Sequence, residues 1–222
     1  MSIVWDDSIK CGTVPFSLIL LQNIFSATGT SSACPKDIII LVDESSRALR
    51  TDVYELTQAL TSVAKQLDIG MDANLLSLYG YDTSIHTKFT LNQYTDKSSL
   101  VTALQTLPLF NRFHTGRTDT AEAISFLVDQ AMAPQQGDRP NYPDAVIIVG
   151  DHATTSTTKI AITDRLALSA KSQDVIVVSI GSLGAETEQL ATDNKHLIHV
   201  LSDGAFATQL APALVQLLEQ CW

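Results

Sequence analysis

Asp37-Ile38-Ile39-Ile40-Leu41-Val42-Asp43-Glu44-Ser45-Ser46-Arg47 is an apolar run that ends in an aspartate and two hydroxyl residues. It reads as a buried strand that delivers a polar cluster to the edge of a sheet. Two later segments repeat the pattern. Thr115-Gly116-Arg117-Thr118-Asp119-Thr120 opens a helical stretch, and Asp144 to Asp151, DAVIIVGD, is a second apolar strand ending in aspartate. In open α/β sheets, sites form where the carboxyl ends of strands meet. Asp43, Ser45, Thr118 and Asp151 are therefore expected to converge although they lie far apart in the chain. Carboxylates and hydroxyls donate through oxygen and suit a hard cation such as Mg2+, Mn2+ or Ca2+. Taken one at a time, the same residues read as helix caps, Ser45 or Ser46 before a helix starting near Arg47 and Thr118 before the next. Taken together, they read as a polar site.

The rest of the chain alternates as a parallel sheet with helices on both faces requires. Strands are expected at 37–42, 73–79, 85–90, 145–150, 175–180 and 197–201, and helices at 48–67, 97–107, 120–131, 159–172, 187–192 and 205–219. Asp96 reads as the N-cap of the second helix. Phe206, Leu210, Leu214, Leu217 and Leu218 form a core-facing stripe on the last one. The strand near Ile85 follows Tyr81-Asp82-Thr83-Ser84 so closely that it is expected to be an antiparallel hairpin partner at the sheet edge. The fold class is thus α/β: a doubly wound, mostly parallel six-stranded sheet with one antiparallel edge strand.

At this point the residues resemble a family, the von Willebrand factor type A domain, also called the integrin I domain. The resemblance covers nearly all of Asp37 to Glu219 and carries a metal-ion-dependent adhesion site. Its D-x-S-x-S motif falls on Asp43 and Ser45, its threonine loop on Thr118, and its strand-ending aspartate on Asp151. The resemblance implies Mg2+ or Mn2+ at these residues, with Ca2+ the poorer fit, or no ion at all. Two letters depart from the motif: Arg47 stands where the second serine belongs, with Ser46 a weak substitute, and His152 stands where glycine is usual. The loops around the face supply Glu44, Tyr81, Phe113, Arg117 and His152 as expected partner-binding residues. Of these, Phe113 and Tyr81 are the expected exposed aromatic anchors, with ordinary loop packing as the alternative.

The chain has 222 residues, enough for one domain of ordinary size and a short extension. Its net charge of -10 excludes the concentrated basic surface that nucleic acid requires. Residues 1–33 contain the apolar run Val14 to Phe25 followed by small and polar residues, the pattern of a signal peptide. The flank is atypical, because Asp6 and Asp7 outnumber Lys10, and a buried N-terminal element is the other reading. The run is too short for a stable membrane span. On the first reading, residues 34–222 form the A domain. Loss of residues 1–33 removes Cys11 and leaves Cys34 and Cys221 flanking it, an even count compatible with a disulfide. The resemblance implies such a bridge, since several secreted A domains link their ends in this way, and two free thiols in a reducing compartment are the alternative.

Other function classes fit poorly. The chain has no G-x-S-x-G elbow for a nucleophilic serine. The first strand-to-helix turn, Glu44-Ser45-Ser46, lacks the glycines a dinucleotide needs, and its acid would repel phosphate. No small-molecule substrate is expected. The resemblance implies a secreted adhesion or matrix-binding module whose partner is an extracellular protein such as collagen. A structural A domain without a working metal site is the alternative, and an intracellular α/β enzyme is a distant third. There is no N-x-S/T acceptor for N-glycosylation.

Overall fold

The computed structural model describes residues 34–45, 47–106, 118–151, 162–181, 188–200 and 206–221. The expected leader at 1–33 lies outside them, as do Ser46, Phe113, Arg117 and His152. The elements run β1 (Asp37–Asp43), α1 (Arg47–Gln66), β2 (Leu75–Tyr81), β3 (Ile85–Phe89), α2 (Lys97–Thr106), α3 (Thr120–Phe126), β4 (Asp144–Gly150), α4 (Ile162–Lys171), β5 (Ser172–Ile180), β6 (Leu197–Val200) and α5 (Phe206–Leu218). Among the described residues, six strands form one sheet in the order β3-β2-β1-β4-β5-β6. Only β3 is antiparallel to its neighbour. The short connection between Tyr81 and Ile85 permits a hairpin, whereas a parallel return needs a crossover of a dozen or more residues. This is the expected fold class.

Strand alternation explains why helices cover both faces. Ile38, Ile40 and Val42 of β1 pack on one side with Leu56, Leu60 and Val63 of α1, Leu100 and Leu104 of α2, and Leu210 and Leu214 of α5. Ile39 and Leu41 pack on the other side with Ala123 and Ile124 of α3 and Leu168 of α4. All of β1 is buried, as an inner strand under two helical layers should be. The leucine stripe on α5 is core: Leu210, Leu214, Leu217 and Leu218 are all buried.

β5 begins at Ser172, three residues before its expected start, and residues 189–192, expected as helix, form turns and bends instead. Two further elements differ from their expected limits. β2 starts at Leu75 rather than near Ala73, because the turn before it has its own bonds: Gly70 N–H donates to Asn74 O and Asn74 Nδ2 donates to Asp68 O. The strand therefore extends to Tyr81, which moves from the expected turn into the sheet. The helix expected through Ala131 is α-helical only to Phe126. Leu127–Ala131 then widens to a π-turn, closed by Met132 N–H on Leu127 O at 3.0 Å. Lys171 Nζ from α4 donates to the Val128 carbonyl within that turn.

The amino-terminal edge of the sheet is tied by buried charge. Arg139 donates to Asp37 through its backbone N–H at 2.7 Å and its Nε at 2.8 Å. Lys36, 1% exposed, donates to Asp174 Oδ2 at 2.6 Å. Cys34 and Cys221 form a disulfide with Cα atoms 5.4 Å apart, bridging 187 positions of sequence.

Candidate functional site

The strand order reverses between β1 and β4, which run parallel: β2 and β3 lie to one side of β1, and β4, β5 and β6 to the other. That is the switch point at which open α/β sheets leave a crevice beyond their carboxyl ends. Asp43 ends β1 level with Tyr81 of β2, and Asp151 follows directly after β4. Gly150 makes the approach between them close, because a Cβ there would stand 2.7 Å from Asp43 Cβ. A larger residue at 150 would push Asp43 away from β4.

The hydroxyls join from two loops. Asp43 Oδ1 accepts from Ser45 N–H at 2.9 Å and from Ser45 Oγ at 2.7 Å. Ser45 Oγ in turn hydrogen-bonds to Thr118 Oγ1. A direct chain thus runs from Asp43 through Ser45 to Thr118 across 75 positions of sequence, Thr118 itself being 1% exposed. Thr118 does not cap α3. That role belongs to Asp119, whose side chain accepts from Glu122 N–H at 3.1 Å, and the division of labour leaves the threonine hydroxyl facing Ser45. Asp119 N–H donates to Asp82 O at 2.9 Å, which docks this loop on the end of β2.

Electrostatics place Asp151 in the same neighbourhood. Burial pushes the Tyr81 hydroxyl well above the usual phenol range, and the negative charges of Asp43 and Asp151 push the same way. Both carboxylates therefore act on one buried phenol. Asp43, Ser45 and Thr118, with Asp151 just beyond β4, offer only oxygen donors, a chemistry that would suit a hard divalent cation. Arg47 opens α1 immediately behind this loop.

Two expected rim residues are corrected by burial. Tyr81 is 0% exposed because it is the last residue of β2 and packs under the face, so it cannot serve as an exposed anchor. Glu44 is 1% exposed and is consumed by an ion pair with Lys88, Nζ at 2.7 Å from Oε1, and by a hydrogen bond between Oε2 and His86 Nδ1. Sequence reading missed these two partners, although their spacing along β3 was the available signal, since residues two apart on a strand share a face.

A second acidic group lies elsewhere. Carboxylate oxygens of Asp37, Asp138 and Asp144 fall within 4.8 Å of one another. Asp37 and Asp144 are the first residues of β1 and β4, so the group sits at the end of the sheet opposite Asp43 and Asp151. Burial, then the charge of Asp138 and a hydrogen bond with it, raise the Asp144 carboxyl to about 8. This group belongs to the Asp37–Arg139 network and has no part in the strand-exit site.

Comparison with known proteins agrees with this geometry. Over 121 residues, 53% of the chain and 21% of the relative, it is 33% identical to matrilin-1 of Bos taurus. Over 190 residues, 84% of the chain and 14% of the relative, it is 28% identical to the collagen alpha-1(XX) chain of Mus musculus. The chain therefore spans about a fifth or less of the length of these curated relatives. Among solved structures, proximal thread matrix protein 1 from the mussel byssus, with a zinc-occupied MIDAS motif, superposes with a TM-score of 0.72 at 20% identity. That match covers 84% of this chain and 48% of the other, and it shows the shared fold. Disulfides persist in oxidising compartments. The Cys34–Cys221 bridge and the collagen and matrilin relatives make this an extracellular protein. Among the described residues no helix is long and apolar enough to cross a membrane. The sequence model of the von Willebrand factor type A domain matches residues 37–212, and with the strand order and strand-exit site above it the chain belongs to that family.

Proposed function

We propose that this domain is a matrix-binding module whose strand-exit face holds a divalent cation through Asp43, Ser45, Thr118 and Asp151. The cation would be Mg2+ or Mn2+, and it would supply an open coordination position for a carboxylate of an extracellular protein partner. The observation that carries the reading is the hydrogen-bonded chain Asp43–Ser45–Thr118, which assembles oxygen donors from two distant loops beside the strand that ends at Gly150. Helix capping does not explain that chain, because Asp119 caps α3. The matrix setting of the relatives supports a protein partner, and the zinc-bearing MIDAS of the mussel protein supports a cation at this place in the fold. The role is binding rather than catalysis, a reading that rests on the family.

Arg47 favours a second version in which the face is held without an ion. There a guanidinium at the fifth letter of the motif takes the cation's place against Asp43 or Asp151. The two versions separate in one experiment. Matrix extract is passed over the immobilised protein with Mg2+ or Mn2+ and again with EDTA, for wild type and Arg47→Ser. The cation version predicts capture that EDTA abolishes in both. Capture unaffected by EDTA in wild type, with EDTA sensitivity appearing only in Arg47→Ser, establishes the ion-free version.

A further inference from the structure

The first metal loop is gripped from outside by the edge hairpin. Glu44, between Asp43 and Ser45, has a fully buried carboxylate, and two side chains of β3 share it: the Lys88 ammonium, Nζ on Oε1 at 2.7 Å, and the His86 ring, Nδ1 on Oε2. Its side chain lies over Gly80 of β2, where a Cβ would stand 2.9 Å from Glu44 Cγ, so that only glycine leaves the space open. Glu44 N–H donates to Tyr81 O at 2.8 Å, which fixes the backbone at the same point.

The same hairpin reaches the second loop. His86 Nε2 is 3.9 Å from Asp82 Oδ1, and Asp82 O accepts from the N–H of Asp119, the residue after Thr118. Ser84 N–H closes the turn on Asp82 Oδ1 at 2.9 Å. One hairpin therefore touches both loops whose hydroxyls meet at Ser45 and Thr118. Burying a carboxylate is costly unless it is paired and hydrogen-bonded. Once paired, it holds its backbone in one geometry. A residue serving as part of a recognition rim would stand in solvent, and Glu44 does not.

We propose that Glu44 is a positioning residue: clamped by Lys88 and His86, it sets the spacing between Ser45 and Thr118 and through it the cation affinity of the face. The affinity part rests on the cation reading above; the clamp itself does not.

The test uses the intact secreted protein as wild type, Glu44→Gln, Lys88→Met, Lys88→Arg and the Glu44→Gln/Lys88→Met double variant. Two quantities are measured: amide hydrogen exchange at Glu44, Ser45 and Asp119 in metal-free protein, and Mn2+ affinity by calorimetry. Glu44→Gln and Lys88→Met are each expected to speed exchange at these amides and weaken Mn2+ binding by about tenfold, the scale of one charge-assisted hydrogen bond. Exchange at Ile39 and Ile40 of β1 stays unchanged, which separates the effect from global loss of stability. Lys88→Arg keeps the cation and stays near wild type. The double variant is no worse than either single one, because the two side chains act as a pair. Unchanged exchange at Glu44, Ser45 and Asp119 in both single variants overturns the clamp, as does an additive double variant. If wild type takes up no Mn2+, the cation reading falls on its own and the exchange rates still decide the clamp.

Discussion

Gly150 decides how closely Asp43 approaches β4. A methyl group there would meet Asp43 Cβ at 2.7 Å, inside any normal contact, and both partners lie at the end of inner strands with little room to give. Gly150→Ala is expected to destabilise the fold by about 1–3 kcal/mol, the usual cost of overpacking, and to weaken the face for cations, both measured by urea unfolding with and without Mn2+. At the opposite end, the Asp144 carboxyl is held at about 8 against an ordinary 3.8. The folded state therefore keeps a proton that the unfolded chain has released, so the stabilisation present at low pH is lost as pH rises from about 4 to about 8. Asp144→Asn is neutral throughout. Its melting temperature is expected to exceed that of wild type by a margin that widens with pH and levels off above about 8.

Helices and strands are largely legible in the sequence, since apolar runs such as IIILV and AVIIV and the stripe on α5 describe buried surfaces in the local pattern. Asp96 shows the same legibility for a cap. It accepts from Ser99 N–H at 2.9 Å and from the Ser98 and Ser99 hydroxyls, which pull its carboxyl down to about 2. A lowered carboxylate stabilises the fold above its ordinary value of 3.8 and loses that contribution as pH falls toward 2. Asp96→Ala is expected to fray α2, seen as faster amide exchange in its first turn at neutral pH, with the difference from wild type vanishing in acid. Legibility ended where burial depends on residues far away in sequence. Tyr81 and Glu44 read as rim residues because polar and turn-like neighbours surround them. Tyr81 is instead covered by the helix side of the sheet, and Glu44 by Lys88, 44 positions later. The site residues followed a different course. Asp43, Ser45 and Thr118 stood out by type and spacing, whereas the close approach allowed by Gly150 and the capping role of Asp119 required the strand register.

At the scale of the molecule, the disulfide and the strand-exit face lie at different parts of the sheet and answer to different tests. Cys34 stands two residues before the buried Lys36, and Cys221 follows α5, so the bridge ties the first strand's entry to the last helix. In the chain-entropy description a loop of this length contributes about 5 kcal/mol. Reduction, or Cys34→Ser with Cys221→Ser, is therefore expected to lower the melting temperature substantially while leaving the Asp43–Ser45–Thr118 chain intact. Cation binding tests the account most directly. Mn2+ and Mg2+ titrated by calorimetry into the oxidised protein are expected to give saturable heat at one site and a raised melting temperature, both lost in Asp43→Ala and in Thr118→Ala. No heat and no shift in wild type, or binding that persists in both variants, would contradict it.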